Sequence, residues 1–238
     1  MNNLEFFHFY LLVLCILINK KIMKKYLIVR KKIILSNSIY HVIQRAPGDE
    51  LLFKSDKDRI DFLFLVKKII PKFNIELLAY SLMPNHIHLL IKTKEPNLSL
   101  CMKSLFEQYA KLFNRRHNRK GHVFHGVYRA VYCDSNFASL IVSFYIHLNA
   151  YKAKIIKELF EYKWDSLNEY STFQKNNITD SEIILKLLNE NLESAKSIYR
   201  KMILSLSSTK QYNIADKKEA ILKFYISCSK SMKVSEFM

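Results

Sequence analysis

Hydrophobic and polar positions alternate as in β-strands in four segments of the chain. Residues 33–45 are rich in β-branched and aromatic side chains and end at a turn signal that contains Pro47 and Gly48. Similar patterns occupy residues 73–82, 86–92 and 122–132. The triplet Met83-Pro84-Asn85 separates the second and third segments, so we expect these two to form an antiparallel pair.

Apolar residues spaced three and four apart predict helices between these strands. Ser55-Asp56 is a capping signal for a helix that Pro71 stops, and a second helix runs from Leu98 to the region of His117. A third helix follows the capping residues 134–136. The order βαββαβ followed by a helix predicts an α+β, ferredoxin-like antiparallel sheet with helices on one face. Residues 183–202 and 217–227 predict a helical C-terminal extension.

The chain ends are predicted to lie outside this domain, which we place at residues 23–173, with the extension at 174–238. Residues 1–22 contain the apolar run 6–18, which is followed, not preceded, by lysines. The run is shorter than the 20 or so residues of a membrane-spanning helix, and the charge order is the reverse of a signal peptide. A start-site artefact, with Met23 as the true start, and a weak interfacial helix are the alternatives; we favour the artefact.

The net charge of the chain indicates the class of partner more clearly than its composition does. The 38 basic and 21 acidic residues leave a net charge of +17, which favours a polyanionic partner, nucleic acid above all. Half of the residues are hydrophobic, with three glycines and four prolines, which excludes collagen-like and wholly disordered classes. The four cysteines are far apart in sequence, which indicates neither a zinc knuckle nor a disulfide framework and favours a reducing, intracellular setting.

Two pairs of polar residues have a spacing that suggests chemistry. His86 and His88 are two apart in a predicted strand, so both imidazoles project from one side. Such a pair alone is more often structural than metal-binding. Tyr145 and Asn149 are four apart in the third helix and share a face. Two imidazoles and an amide oxygen would hold a divalent cation and leave positions open for phosphate and water, with a tyrosine beside them as a plausible nucleophile.

These residues lie in longer motifs that resemble the REP-associated tyrosine transposases, within the single-tyrosine transposases of the His-hydrophobic-His type. The resemblance covers residues 33–173. It rests on the motifs Met83-Pro84-Asn85-His86-Ile87-His88-Leu89-Leu90, Tyr145-Ile146-His147-Leu148-Asn149, Gly121-His122-Val123-Phe124, Tyr40-His41-Val42-Ile43 and Trp164-Asp165-Ser166.

The resemblance implies a metal-dependent transposase that cleaves and rejoins single-stranded DNA at hairpin-containing sites. It implies that Tyr145 is the nucleophile of a 5′-phosphotyrosine intermediate, and that His86, His88 and Asn149 bind a divalent ion, Mg²⁺ or Mn²⁺. The third helix departs from the family pattern after Asn149, where Ala150 replaces a proline. We therefore expect helical structure to run on past the usual stop.

A basic stretch between the second helix and the fourth strand is the predicted DNA surface. Residues 103–129 carry seven cations against the single acidic Glu107, and aromatic residues are interleaved with them. Cations hold phosphates while rings stack on bases, although a run of charge is often only a solvated helix face. The predicted DNA-binding residues are Arg115, Arg116, Arg119, Lys120, Arg129 and Lys152.

Three functions remain open at this point, in decreasing order of support. The first is the transposase; the second is a domesticated hairpin-DNA-binding protein without transposition activity. The third is an RNA-binding ferredoxin-like module, which would carry aromatic residues where this sheet has histidines. We expect single-stranded or hairpin DNA as partner, no membrane partner, and a cytoplasmic, nucleoid-associated protein. The sequence leaves both a monomer and a homodimer open.

Overall fold

The structure is a computed structural model that describes residues 34–172 and 178–208. Within the described residues, those up to Tyr199 form one compact unit, and residues 200–208 are assigned to a second. The strands are β1 (Ser38–Arg45), β2 (Ile75–Leu82), β3 (His86–Thr93) and β4 (Arg129–Cys133). The helices are α1 (Asp56–Ile69), α2 (Leu98–Arg116), α3 (Asn136–His147), α4 (Asn149–Lys152), α5 (Leu167–Ser171), α6 (Glu182–Leu185) and α7 (Leu192–Ser208).

The four strands form one antiparallel sheet in the order β2-β3-β1-β4. β3 pairs with β2 on one side and with β1 on the other, and β4 pairs with the outer side of β1. β1 and β2 therefore run parallel to each other with β3 between them, which is the split arrangement of a ferredoxin-like sheet. The predicted α+β fold and the pairing of the second and third strands are confirmed.

The two faces of the sheet have different partners because side chains alternate along each strand. Val42 of β1 and Leu89 of β3 belong to the main hydrophobic core, together with Phe62 of α1 and Phe106 of α2. The alternate positions in β1 and β3 point to the other face, where α3 packs against β2 and β3. Burying a large apolar side chain contributes about 1.5–3 kcal/mol, so packing against α1 and α2 stabilises the first face. The second face packs against α3.

The fourth strand is shorter than the sequence predicted. The alternating pattern of residues 122–132 indicates a strand, but β4 begins only at Arg129. Gly121 and Gly126 have φ of 93° and 67°, a left-handed backbone that a strand does not adopt. Val123 is nevertheless buried in the main core, so its hydrophobicity reflects packing of a loop rather than pairing of a strand.

The other boundaries differ by smaller amounts. β2 begins at Ile75, because a 3-10 turn at Ile70–Phe73 and a left-handed Asn74 precede it. The pattern of residues 183–202 contains two helices, α6 and α7, instead of one. The start of the first predicted strand, residue 33, and the predicted helix at 217–227 lie outside the described residues.

Helical structure continues past α3, as the departure from the family pattern predicts. After a break at Leu148, α4 carries the chain on to Lys152, and Lys154 then reverses it with a φ of 57°. Across residues 34–172 and 178–208, the helices are too short or too polar to cross a bilayer.

Candidate functional site

Three histidines and a tyrosine come together on the face of the sheet opposite α1 and α2. We call His41, His86, His88 and Tyr145 the histidine–tyrosine cluster. The ring centroid of His88 lies 4.9 Å from that of His86 and 5.0 Å from that of His41. The Tyr145 ring lies edge-on to both inner histidines, 5.6 Å from His88 and 5.8 Å from His41. The structure therefore brings the predicted nucleophile into contact with His88, which in turn contacts His86.

His88 is the buried centre of the cluster, with only 3 % of its surface exposed. Its Nδ1 lies 2.9 Å from Nε2 of His41, whereas its Nε2 is buried and has no hydrogen-bond partner among the described residues. Burial, followed by the neighbouring His41 and His86, lowers the pKa of His88 well below its usual value. The ring is therefore neutral, and one of its nitrogens is left for a further ligand.

His86 lies at the rim of the cluster and is only partly buried. Its Nδ1 donates a hydrogen bond to the side-chain oxygen of Asn85 at 2.7 Å. A neutral imidazole with hydrogen on Nδ1 has its lone pair on Nε2, so the Asn85 contact orients His86 as a donor to a cation. Burial also lowers the pKa of His86, which keeps the ring in the neutral, ligating form.

Tyr145 lies in α3, and Asn149, which begins α4, contacts Tyr145. The hydroxyl of Ser135 caps α3 by accepting the Ala138 N–H at 3.1 Å, which fixes where the helix begins. The Asn149 amide donates to the Tyr145 carbonyl at 3.1 Å, across the break at Leu148. Burial raises the pKa of Tyr145, and the Asn149 side chain partly offsets this shift. The phenol is therefore protonated at neutral pH.

The cluster lacks the carboxylate and thiolate ligands that many protein metal sites contain. Within the described parts of the chain, no three or more His, Cys, Asp or Glu side chains are arranged to hold a metal ion. The predicted ligand set is of another kind, two imidazoles and one amide. An unpartnered Nε2 on His88 and a lone pair directed by Asn85 on His86 fit such a set.

His41 is a member of the cluster that sequence reasoning missed as a site residue. It lies in the motif Tyr40-His41-Val42-Ile43 and is 3 % exposed. The register of the sheet pairs Ile43 with His88, so His41, two residues along the same face, is diagonal to His88. Only this cross-strand register brings the two rings together.

His147 occupies the opposite side of α3 and has a different environment. Its Nδ1 lies 2.7 Å from the Tyr199 hydroxyl, and its Nε2 lies 2.8 Å from the Ser166 hydroxyl. The Tyr199 hydroxyl is also 2.9 Å from that of Ser143. We call these four residues the His147 network. Since both ring nitrogens are satisfied and the residue is fully buried, His147 is part of the packing.

Two of the predicted DNA-binding arginines form ion pairs within the protein. Arg116 binds Asp58, with 2.6 Å between Nη1 and Oδ1, and also Asp61. Burial acts to raise the pKa of Asp58, but hydrogen bonds from Arg116, His117 and Ser55 outweigh it and lower the pKa to about 2. These contacts join α2 to the start of α1.

Arg119 is the second arginine in an ion pair, and the other predicted cations are exposed. Arg119 lies 2.6 Å from Glu50 and stacks over Phe113, whereas Arg115, Lys120 and Arg129 are exposed and form no ion pair among the described residues. Lys152 is exposed on α4. An open groove of about 1220 Å³ lies between α2 and the loop of residues 121–128. Its lining includes Lys103, Phe106, His122, His125 and Tyr128.

Comparisons with known proteins agree with this geometry. Residues 34–149 match the family described as IS200-like transposases. Among solved structures, the chain is similar to a REP-associated tyrosine transposase bound to a REP hairpin, with a TM-score of 0.53 and 11 % sequence identity. The match covers 63 % of this chain and 89 % of that one. A comparison with curated proteins found no significant match.

The family match includes all four members of the histidine–tyrosine cluster and ends at Asn149. The structural likeness independently supports the same fold, with its single antiparallel sheet. Over residues 34–149, which carry the whole sheet and the histidine–tyrosine cluster, the chain is therefore similar to the IS200-like transposase family.

Proposed function

We propose that this protein cleaves and rejoins single-stranded DNA at hairpin-containing sites, with Tyr145 as the nucleophile. The observation that carries the proposal is the contact between the Tyr145 ring and His88, whose buried Nε2 has no partner among the described residues. A nucleophile beside a group that can hold a cation is the arrangement that phosphoryl transfer requires.

His86, His88 and Asn149 would hold the divalent ion, Mg²⁺ or Mn²⁺. When bound, the ion would offset the negative charge that the phosphate oxygens carry in the transition state. The protein's own contribution is to present two neutral imidazoles and an amide oxygen from two rigid elements, β3 and the α3–α4 segment. Held in this way, the phosphate would lie next to the Tyr145 phenol.

The chemical step exchanges one phosphodiester oxygen for another. The Tyr145 oxygen attacks phosphorus and forms a 5′-phosphotyrosine bond, while the bond from phosphorus to the 3′ oxygen breaks. The phenol loses its proton and the leaving 3′ oxygen gains one, so the step is balanced. Attack by a 3′-hydroxyl reverses it and rejoins the strand without a nucleotide cofactor.

The DNA is proposed to bind along the basic side of the fold. The related solved structure is bound to a REP hairpin, and we extend hairpin binding to this chain. Arg115, Lys120 and Arg129 are exposed cations on this side, and the net charge of +17 would attract the phosphate backbone. A cytoplasmic, nucleoid-associated location and the domain limits at residues 23 and 173 belong to the same proposal.

The proposal is tested by the fate of Tyr145. Tyr145→Phe should eliminate a detergent-resistant adduct with labelled single-stranded hairpin DNA, because only the attacking oxygen is removed. Hairpin binding should remain within a few-fold. Tyr151→Phe is the matched control, since Tyr151 is a partly exposed tyrosine six residues further on.

The outcomes separate the open functions. An adduct that persists in Tyr145→Phe would show that another residue is the nucleophile. Hairpin binding by the unmodified protein without any adduct, at any divalent ion concentration, would instead support the domesticated DNA-binding protein.

A further inference from the structure

His41 contributes no ligand to the proposed set, but among the described residues it is the only hydrogen-bond partner of the His88 ring. The distance between His41 Nε2 and His88 Nδ1 is 2.9 Å, and both residues are 3 % exposed. The two rings are tilted by 31° with their centroids 5.0 Å apart, so the contact is a directed bond between nitrogens. Water has little access to replace it.

The hydrogen bond can be formed in two ways. One leaves a hydrogen on His88 Nε2, and the other leaves a lone pair there. A neutral imidazole carries hydrogen on one nitrogen and a lone pair on the other. If His88 Nδ1 accepts, then Nε2–H is a buried donor without an acceptor among the described residues. If Nδ1 donates to His41, then Nε2 bears a lone pair, which a cation can satisfy.

The neighbouring histidine shows the same arrangement with a different partner. His86 Nδ1 donates to the Asn85 side-chain oxygen at 2.7 Å, which leaves its lone pair on Nε2. Each of the two proposed histidine ligands therefore has its Nδ1 hydrogen-bonded to a side chain of the protein. In His86 the partner is an exposed amide, and in His88 it is a buried imidazole.

We propose that His41 is a positioning residue that accepts the Nδ1 hydrogen of His88 and so presents the Nε2 lone pair of His88 to a divalent cation. This inference rests on the proposed function, because it assumes that His88 is a ligand. It adds a role for a residue on β1, whose register with β3 places the accepting nitrogen. Partners that hold the second nitrogen of a ligating histidine fix its tautomer and orientation.

The first test observes the tautomer directly in the unmodified full-length protein. Long-range ¹H–¹⁵N spectra of protein labelled at histidine, recorded without added metal, distinguish Nδ1–H from Nε2–H rings. We expect the Nδ1–H form for His88, with assignment from the His88→Gln variant. An Nε2–H form would overturn the inference, whatever the activity of the protein.

The second test compares replacements at position 41 by titration with Mn²⁺ alone, followed by electron paramagnetic resonance. His41→Phe fills the space but accepts no hydrogen bond, and we expect Mn²⁺ affinity to fall about 10- to 100-fold. His41→Gln carries a terminal amide at nearly the position of Nε2 and should restore affinity to within a few-fold. Asn85→Ala should have a smaller effect than His41→Phe, because water can replace the exposed Asn85 side chain.

The outcomes distinguish this inference from the proposed function. Equal Mn²⁺ affinities for the unmodified protein and His41→Phe would overturn the role of His41 and leave the metal site standing. Loss of affinity in His41→Gln as large as in His41→Phe would show a packing role and overturn it as well. No Mn²⁺ binding by the unmodified protein would overturn the metal site itself, and this inference with it.

Discussion

His88 and His147 are both buried histidines in contact with the α3 region, but their ring nitrogens are satisfied differently. His147 has both nitrogens hydrogen-bonded within the His147 network. His88 has Nδ1 bonded to His41 and Nε2 without a partner among the described residues. A buried polar atom without a partner loses its hydration and gains nothing in return, unless a ligand supplies the bond.

The two histidines share residue type and burial, so the property that distinguishes them is whether both ring nitrogens have hydrogen-bond partners. Burial lowers the pKa of both rings, and to about 3 for His147, so both are neutral at physiological pH. The His147 network joins α3 to Ser166 and to α7 through neutral hydrogen bonds. The histidine–tyrosine cluster instead leaves one interaction open, and we expect function to depend on it.

The largest effect should come from removing Nε2 of His88, the ring nitrogen that has no partner among the described residues. His88→Ala should lower the rate of hairpin cleavage by at least 10²–10³-fold, on the order expected when a group that stabilises transition-state charge is lost. An excess of chelator should reproduce the loss in the unmodified protein. Cleavage that continues undiminished in chelator would contradict the metal assignment.

The matching change in the His147 network should affect stability instead. His147→Phe keeps the ring volume but leaves the Tyr199 and Ser166 hydroxyls with fewer partners. We expect the free energy of unfolding to fall by about 1–3 kcal/mol, measured by urea denaturation. Mn²⁺ affinity should stay within a few-fold of the unmodified value. A large loss of affinity at unchanged stability would mean that His147 has a direct role at the metal.

The pH dependence of stability should show whether His147 is neutral in the folded protein. The pKa of His147 is lowered from 6.5 to about 3 by burial, so the unfolded chain binds a proton that the folded one does not. Stability is therefore full above pH 6.5 and falls as the pH drops toward 3, by about 2 kcal/mol at pH 5 for this residue. His147→Phe should flatten the pH profile of urea midpoints between pH 6.5 and 5. An unchanged slope would show that His147 is already protonated in the folded protein.

The smallest effect concerns the predicted DNA-binding cations. Some of them form ion pairs within the protein, and others form none among the described residues. Neutralising Arg115, Lys120 and Arg129 together to Gln should lower the salt slope of hairpin binding by about 2, since each phosphate contact contributes about 0.7 for single strands. Arg116→Gln is the control, because Arg116 is paired with Asp58 and Asp61. That variant should lose stability and keep its slope. A titration at several salt concentrations measures both, and an unaltered slope in the triple variant would exclude this DNA surface.

Elements with strong local patterns were predicted well from the sequence. The order of strands and helices, the antiparallel pairing of β2 with β3 and the helical run past Asn149 are all present. The segment of residues 122–132 was wrong for most of its length, because an apolar pattern does not distinguish a buried loop from a strand. The left-handed glycines at 121 and 126 turn this segment before β4 begins.

Local sequence patterns are enough to predict which side chains share a face of a strand or helix. Strand alternation places His86 and His88 on one side of β3, and helical spacing brings Asn149 next to Tyr145. These relations depend only on backbone geometry over a few residues. Together with the resemblance of the surrounding motifs to a known family, they led to the candidate nucleophile and the candidate ligands.

Which of these groups have hydrogen-bond or ion-pair partners depends on contacts between residues that are far apart in the chain. His41 meets His88 across 47 residues, His147 meets Tyr199 across 52, and Arg116 meets Asp58 across 58. Such contacts depend on strand register and on how helices dock, which are set by packing of the whole core rather than by local spacing. The same residue type thus becomes a structural group or a candidate ligand according to neighbours that are distant in the chain.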